Sequence, residues 1–253
     1  MDDVSCSTFF VQLLKLGHAV FLSTASEHKP NTQSKPSKPT LCRLKRGQST
    51  YKEIAEHFKK EWVKLTPAYP KPPEPAAIYA ILNPILSERF YLYGEKIRKS
   101  GKASNSGRFY HGTTMKCNLL CTDGYCDDPD CGVCGISKNG FDTSRIGSNI
   151  PRFKRFGHGI YLAPNSSKCH DYTQGMPEYG MRAQLLCLVA CGAKYELKHN
   201  DTTLHQPPTE FHSVYGRSGG SLNYDEIVVY DVNAVMPQYI IVYEHDGVDK
   251  IAS

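Results

Sequence analysis

The chain has 253 residues, 40% of them hydrophobic, which is enough to fill the core of one large domain or two small ones. The formal net charge of +5 is a mild excess spread along the sequence, and this argues against a dedicated nucleic-acid-binding protein. No stretch offers the roughly 18 uninterrupted apolar residues of a membrane span. Residues 9–22 come nearest, but Lys15 and His18 interrupt them.

The same apolar segment does not have the features of a secretory signal. Asp2 and Asp3 precede it where a signal peptide would carry basic residues, and no small-residue cleavage site follows it. We therefore expect an intracellular protein, cytoplasmic or nuclear, that does not act at a membrane. In a reducing compartment, a tight cysteine cluster more often binds metal than forms disulfides.

Residues 26–50 are rich in Ser, Pro and Lys and show no hydrophobic period, which is typical of a flexible linker. This composition predicts two parts, an N-terminal segment and linker over residues 1–49 and a folded domain over residues 50–253.

The first predicted helix begins the folded domain, with Ser49 or Thr50 as its N-cap. Helical spacing places one face of it toward the core, and Trp62, the sole tryptophan, is expected to pack there. The residues of that face are Ile54, Phe58, Trp62 and Leu65.

A Pro-rich connector leads to "AAIYAILN" (76–83), which predicts a strand, and then to a second helix. Asn83 and Pro84 suit the N-cap and first position of that helix, and Gly101 follows its end. Its predicted inward residues are Ile85, Leu86, Phe90, Tyr93 and Ile97.

The rest of the chain predicts mainly strands, in the segments "RFYHGT", "GIYLA", "AQLLCLVACG", "EIVVYD" and "QYIIVYE". Helices come first and strands follow without regular alternation, which favours an α+β fold over a doubly wound parallel sheet. Cys187 and Cys191 lie in an apolar strand, so they are expected to be buried thiols rather than metal ligands.

Five of the ten cysteines fall within residues 117–134, "CNLLCTDGYCDDPDCGVC". The spacing C-x4-C-x2-C of Cys126, Cys131 and Cys134, with Cys117 upstream, suits a closed tetrahedral zinc site of the structural kind. Cys121 could replace Cys117 as the fourth ligand. Free thiols or a redox pair are the alternative interpretation. The acidic residues of the loop do not follow the spacing of a calcium-binding EF-hand.

Three short motifs surround the cluster: "RFYHGT" (108–113), "RFGHGIYLAPNSSKCHDY" (155–172) and "SVYGRSGGSLNYDEIVVYD" (213–231). Each alone is weak, because His-Gly pairs are common and tyrosines at strand ends usually belong to the core. Together and in this order, the motifs resemble the catalytic domain of the poly(ADP-ribose) polymerase-like ADP-ribosyltransferases over roughly residues 50–244. The resemblance implies a fold of two packed, mostly antiparallel β-sheets with flanking helices.

The resemblance also implies site roles. Glu226 becomes the catalytic glutamate, and His111 and Tyr161 complete a His-Tyr-Glu triad. His111 is expected to donate a hydrogen bond to the ribose hydroxyl near the adenine. Gly112 would bind the nicotinamide amide through its backbone. Tyr161 and Tyr172 would hold the nicotinamide ring, Tyr172 by stacking on its face.

The expected reaction consumes NAD as a substrate, which agrees with the absence of a G-x-G-x-x-G fingerprint between a strand and a helix. Cleavage of the bond between nicotinamide and ribose passes through an oxocarbenium-like state, whose positive charge a nearby carboxylate stabilises. ADP-ribose would pass to acceptor proteins, including the enzyme itself, as single units or short chains. A nucleic-acid acceptor is conceivable but not indicated.

Two features depart from the family pattern. Cys169 stands where the family commonly has a serine that binds the nicotinamide amide, and a thiol is the weaker hydrogen-bonding group. The cysteine cluster lies between the His and Tyr motifs, whereas the zinc ligands of the tankyrase branch follow the Tyr motif. Lys154 and Arg155 could face the pyrophosphate or simply be exposed.

The rival functional hypothesis is a catalytically silent, zinc-stabilised module of the same fold that binds protein or nucleic acid.

Overall fold

The computed structural model describes residues 38–66, 69–122, 124–145, 154–175 and 180–244. The apolar segment 9–22 and residues 26–37 of the expected linker lie outside these residues. None of the described helices is both long enough and apolar enough to cross a membrane. The described part of the chain has four α-helices, α1 (Ser49–Lys60), α2 (Pro84–Lys99), α3 (Gly132–Asn139) and α4 (Ser166–His170).

Within the described residues, nine strands form two sheets, in agreement with the α+β prediction. The larger sheet has the order β1-β2-β9-β5-β3, and all its pairings are antiparallel. Its strands are β1 (Thr40–Arg43), β2 (Pro75–Leu82), β3 (Ser106–Gly112), β5 (Met181–Ala190) and β9 (Val235–Glu244).

The smaller sheet has the order β4-β8-β7-β6, in which only β6 and β7 run parallel. Its strands are β4 (Ile160–Leu162), β6 (Lys194–Leu197), β7 (Ser213–Gly216) and β8 (Glu226–Val229).

The main core lies between the two sheets. Alternate residues of β5, such as Leu185 and Cys187, face it together with Ile240 of β9. The smaller sheet contributes Leu162 and Ile227 to the same cluster. Because side chains alternate along a strand, the other face of β5 is free to meet α1 and α4. Cys187 and Cys191 are fully buried thiols, as predicted.

The N-terminal end of the domain differs from the sequence expectation. Residues 40–43, predicted to be linker, form the edge strand β1, which pairs with β2 from Thr40–Leu82 to Arg43–Tyr79. The N-cap of α1 is Gln48 rather than Ser49 or Thr50, and its side chain makes no capping hydrogen bond. A four-residue edge strand flanked by Pro and Lys has too little pattern to be separated from linker sequence.

Helix α1 is also shorter than predicted, because it ends at Lys60. Trp62 lies beyond the helix end but is buried, with its ring 5.5 Å from Phe58 and 5.7 Å from Tyr243. Leu65 is exposed. The helical spacing therefore identified the core tryptophan correctly but extended the helix through residues that pack in an irregular segment.

Helix α2 begins as predicted, with Asn83 as the N-cap and Pro84 at the first helical position. Leu86 and Ile97 are buried, whereas Ile85 is exposed on the outer face. The buried Asn83 side chain has a second function, because its amide donates to the carbonyls of Ser137 (3.1 Å) and Lys138 (2.8 Å) in α3. One side chain thus joins the start of α2 to the end of α3.

We expect Asn83→Ala to lower the free energy of unfolding by about 2–3 kcal/mol, since it removes an N-cap and the partners of two helix-terminal carbonyls. Asn83→Ser is the matched control, because serine retains the cap but cannot reach α3. Chemical denaturation of the three proteins should place the serine variant between the others. An alanine variant within about 0.5 kcal/mol of the wild type would contradict this role.

Candidate active site

A cleft opens where the two sheets meet. Strand β3 of the larger sheet touches the smaller sheet just after β4, where Tyr110 and Ala163 exchange two backbone hydrogen bonds of 2.8 and 3.0 Å. The cleft has a volume of about 710 Å³. Its walls include all six residues that the family resemblance selects, namely His111, Gly112, Tyr161, Cys169, Tyr172 and Glu226.

His111 lies at the end of β3 with a defined tautomer. Its Nδ1 is 2.9 Å from the carbonyl oxygen of Tyr161, and since a carbonyl only accepts, Nδ1 carries the proton and donates. Burial lowers the pKa of His111 below its ordinary value of 6.5, although the bond to Tyr161 opposes this shift. The ring is therefore neutral at pH 7 and Nε2 is an acceptor. In this tautomer Nε2 is placed to accept a hydrogen bond rather than to donate one, and the contact of His111 with the ribose stays a prediction.

Gly112 ends β3 against α4 with no space for a side chain. A Cβ there would lie 2.0 Å from the carbonyl oxygen of Cys169 and 3.0 Å from Cβ of Tyr172. Only glycine lets the strand approach this closely. The resulting contact sets the backbone of Gly112 beside the ring of Tyr172, which is 40% exposed in the cleft.

Tyr161 in β4 is held by its hydroxyl group. The hydroxyl accepts from the backbone N–H of Phe156 (2.9 Å) and donates to the carbonyl of Gly157 (2.8 Å). Burial, the largest cause, raises the pKa of Tyr161 to about 12, and the charge of Glu226 adds to the shift. Because the hydroxyl is engaged, Tyr161 presents its ring to the cleft and at the same time orders the "FGHG" turn.

Cys169 in α4 is buried, and its thiol donates to the carbonyl of Tyr110 at 3.0 Å. Burial raises the pKa of this thiol to about 12, against the opposing charge of Lys168. The group is thus a protonated thiol and a poor nucleophile. The thiol uses its one proton within the protein, and its equivalence with the family's serine stays a prediction.

Glu226 is the first residue of β8, and its side chain is only 5% exposed. One carboxylate oxygen, Oε2, pairs with Nζ of Lys168, whose side chain is 13% exposed. The other oxygen, Oε1, is buried without a hydrogen-bond partner. A buried carboxylate oxygen without a partner is costly, so its position at the cleft indicates a site for a hydroxyl donor.

Lys154 and Arg155 stand at the cleft edge with partners of their own. The ammonium of Lys154 is 2.7 Å from Nδ1 of His158. The guanidinium of Arg155 donates to the side chain of Asn200 (3.0 Å) and to the carbonyl of Ser221 (2.8 Å). Whether either cation contacts a pyrophosphate stays a prediction.

The structure brings together the four thiols that the spacing selected. One sulfur from each of Cys117, Cys126, Cys131 and Cys134 lies within 4.8 Å of the others. Cys121 is exposed and outside this group. The segment is not purely a loop as the sequence suggested, because Cys131 is the N-cap of α3 and Cys134 lies inside it.

Two cleft residues that contact the predicted site residues were not themselves predicted. Lys168 immediately precedes Cys169, and no pattern in the sequence marks it as the partner of Glu226. Phe141 follows α3 and packs edge-on against the His111 ring, with centroids 4.9 Å apart and an interplanar angle of 84°. Both depend on tertiary proximity, which local spacing does not encode.

Two mostly antiparallel sheets that meet at a cleft of this kind form an ADP-ribosyltransferase fold. Residues 48–221 match the family model of the poly(ADP-ribose) polymerase catalytic domain. This match covers more than half of the chain, which therefore belongs to that family. The match ends before Glu226.

A curated relative is the human protein mono-ADP-ribosyltransferase PARP4. It is 33% identical over 96 residues, a stretch that covers 36% of this chain and 6% of the relative. The chain thus spans a small part of that protein's length.

The neutral state of His111 predicts a particular pH profile. The ratio kcat/KM for NAD should stay level as the pH falls from about 8 to the ordinary histidine pKa of 6.5, and should decline only below it, when Nε2 gains a proton. Steady-state kinetics of the wild type and of His111→Gln would identify the histidine limb. If kcat/KM of the wild type already declined at or above pH 6.5, and the glutamine variant showed no such decline, the neutral state of the His111 ring would be contradicted.

Proposed function

We propose that this protein is an NAD-consuming ADP-ribosyltransferase that transfers ADP-ribose to protein side chains, as single units or short chains. The observation that carries the proposal is the buried carboxylate of Glu226, one oxygen of which is held by Lys168 while the other lacks a partner at the cleft. The membership of the chain in the family and the name of its human relative, a mono-ADP-ribosyltransferase, support the same reaction class.

In this proposal, each cleft residue acts on one part of NAD. Glu226 accepts a hydrogen bond from a hydroxyl of the ribose attached to nicotinamide. Nε2 of His111 accepts from a hydroxyl of the other ribose. The backbone of Gly112 binds the nicotinamide amide, and the rings of Tyr161 and Tyr172 enclose the nicotinamide.

The reaction breaks one bond and forms another. The bond between ribose C1 and the pyridinium nitrogen breaks, its electron pair goes to the nitrogen, and neutral nicotinamide leaves. Positive charge that develops on the ribose is stabilised by the Glu226 carboxylate. An acceptor nucleophile then bonds to C1 and releases its proton to water. The ion pair with Lys168 orients the Glu226 carboxylate before substrate arrives.

Zinc is proposed as a structural ion held by Cys117, Cys126, Cys131 and Cys134. Four thiolates close the coordination sphere, so the ion would stabilise the fold without taking part in the reaction. The acceptors are proposed to be proteins, including this enzyme. The alternative is a catalytically silent, zinc-stabilised module that recognises protein or nucleic acid, and folded, zinc-loaded protein that releases no nicotinamide would support it.

We expect Glu226→Gln to lower the rate of nicotinamide release and ADP-ribose transfer on the order of 100-fold or more, because the neutral amide cannot stabilise the developing charge. The purified chain would be incubated with NAD, and its mass and the free nicotinamide would be measured. NAD affinity should change far less than the rate.

Breaking a buried ion pair also costs about 3–5 kcal/mol, so folding of the Glu226→Gln protein must be checked by circular dichroism. Glu196→Gln is the matched control, since Glu196 is an exposed glutamate paired with Arg217. It should retain full activity. A folded Glu226→Gln protein with wild-type turnover would contradict the catalytic role, and a wild type without turnover would favour the binding module.

Cys169→Ser should lower the KM for NAD several-fold with little change in kcat. A hydroxyl makes stronger hydrogen bonds than a thiol, and it would fill the same position beside Tyr110 and the cleft. Initial-rate kinetics over a range of NAD concentrations would test this. An unchanged KM would mean that residue 169 does not bind the nicotinamide amide in this protein.

A further inference from the structure

The four-cysteine group has the dimensions of a tetrahedral zinc site. In such a site, zinc–sulfur bonds of about 2.3 Å place neighbouring sulfurs about 3.8 Å apart. The sulfur of Cys117 is 3.9 Å from that of Cys131 and 3.6 Å from that of Cys134. Cys126 completes the group within 4.8 Å. The backbone N–H of Lys116 also points at the sulfur of Cys131, a contact that suits a thiolate.

The same group is physically continuous with the cleft. Cys131 and Cys134 bracket the first turn of α3, and the N–H of Val133 in that turn donates to the carbonyl of Thr114 at 3.0 Å. A Cβ on Gly132 would come within 2.2 Å of Oγ1 of Thr113. The start of α3 is therefore pressed against the segment that directly follows His111 and Gly112.

Helix α3 forms part of the cleft wall along its length. Gly132, Ile136 and Asn139 line the cleft, and Phe141 just beyond the helix contacts the His111 ring. A helix of eight residues is too short to be stable by itself. Its C-terminal end is held by the Asn83 amide, whereas its N-terminal end is held by the contacts with Thr113 and Thr114 and carries two of the four cysteines.

We propose that zinc bound by Cys117, Cys126, Cys131 and Cys134 is a positioning device for substrate, because it holds α3 as a wall of the NAD cleft and Phe141 against His111. Zinc occupancy then controls affinity for NAD more than the rate of bond cleavage, since Glu226 and Lys168 lie on β8 and α4, outside the zinc-held segment. This inference rests on the proposed function in taking NAD as the occupant of the cleft.

Cys126→Ser is the variant best suited to the test. Cys126 is the one half-buried member of the group, whereas Cys117, Cys131 and Cys134 also belong to the buried core. Cys121→Ser is the matched control, because it removes a nearby exposed thiol outside the group. Zinc would be measured by atomic absorption after purification under reducing conditions and after addition of Zn²⁺ alone.

We expect one zinc per chain in the wild type and in Cys121→Ser, and at least tenfold weaker zinc retention in Cys126→Ser. Amide hydrogen exchange in residues 132–141 should accelerate at least tenfold when zinc is lost, while exchange in α2 stays within twofold. This readout requires neither NAD nor turnover. The KM for NAD should rise about tenfold in Cys126→Ser with kcat within threefold.

A second variant separates positioning from general stability. Phe141→Leu leaves all four thiols in place, so it should retain zinc and melt near the wild-type temperature, yet raise the KM for NAD several-fold. An unchanged KM for NAD in both variants would overturn the proposal. Wild-type protein that binds no zinc would also overturn it, and so would unchanged amide exchange in α3 after zinc is lost. If zinc content and amide hydrogen exchange change as expected but no nicotinamide is released, only the proposed transferase activity is contradicted. Direct titration with NAD would then measure the change in affinity.

Discussion

The contact between Tyr110 and Ala163 is the constraint on which the site depends. It is the point where β3, still paired with β5 in the larger sheet, also meets the residue that follows β4 of the smaller sheet. Because side chains alternate along a strand, burying Tyr110 turns the neighbouring His111 into the cleft. The same join brings the Tyr161 carbonyl to Nδ1 of His111 and so selects the ring's tautomer.

A second constraint is the burial of opposite charges. Moving Glu226 and Lys168 out of water is costly, and their attraction repays that cost only when geometry is good and the remaining polar atoms are satisfied. Here Oε1 of Glu226 is left over. The pair therefore adds little net stability to the free protein. Its role is to fix the position of the Glu226 carboxylate, where a hydroxyl of the substrate can donate the missing hydrogen bond. Part of the free energy of folding is thus used to hold the carboxylate in position before substrate binds.

Much of this organisation was predictable from sequence, for reasons that are physical. Asn83 and Pro84 carry a local signal that specifies a helix start, and the apolar period of β5 and β9 requires a buried sheet. The family order of the His, Tyr and Glu motifs predicted residues that do line one cleft. Edge strand β1 and helix α3 were missed, because four or eight residues give too short a pattern.

The roles of Lys168 and Phe141 and the tautomer of His111 were beyond sequence reasoning for a different reason. Each is set by a partner more than twenty residues away along the chain, so local spacing holds no trace of it. The acceptor state of His111 follows from a single backbone carbonyl and from burial, and neither can be inferred from a His-Gly pair. Fold and site membership were thus accessible, whereas the direction of hydrogen bonds in the site was not.

The position of the cysteine group explains why a metal would be useful in this fold. One wall of the cleft is built from the short helix α3 and the irregular chain after it, and a helix of eight residues buries little apolar surface against a sheet. A tetrahedral ion supplies fixed bond lengths and angles where a hydrophobic core is too small to do so. Asn83 holds one end of α3 and the thiols hold the other. Because both ends of the helix are anchored, the position of this cleft wall is fixed.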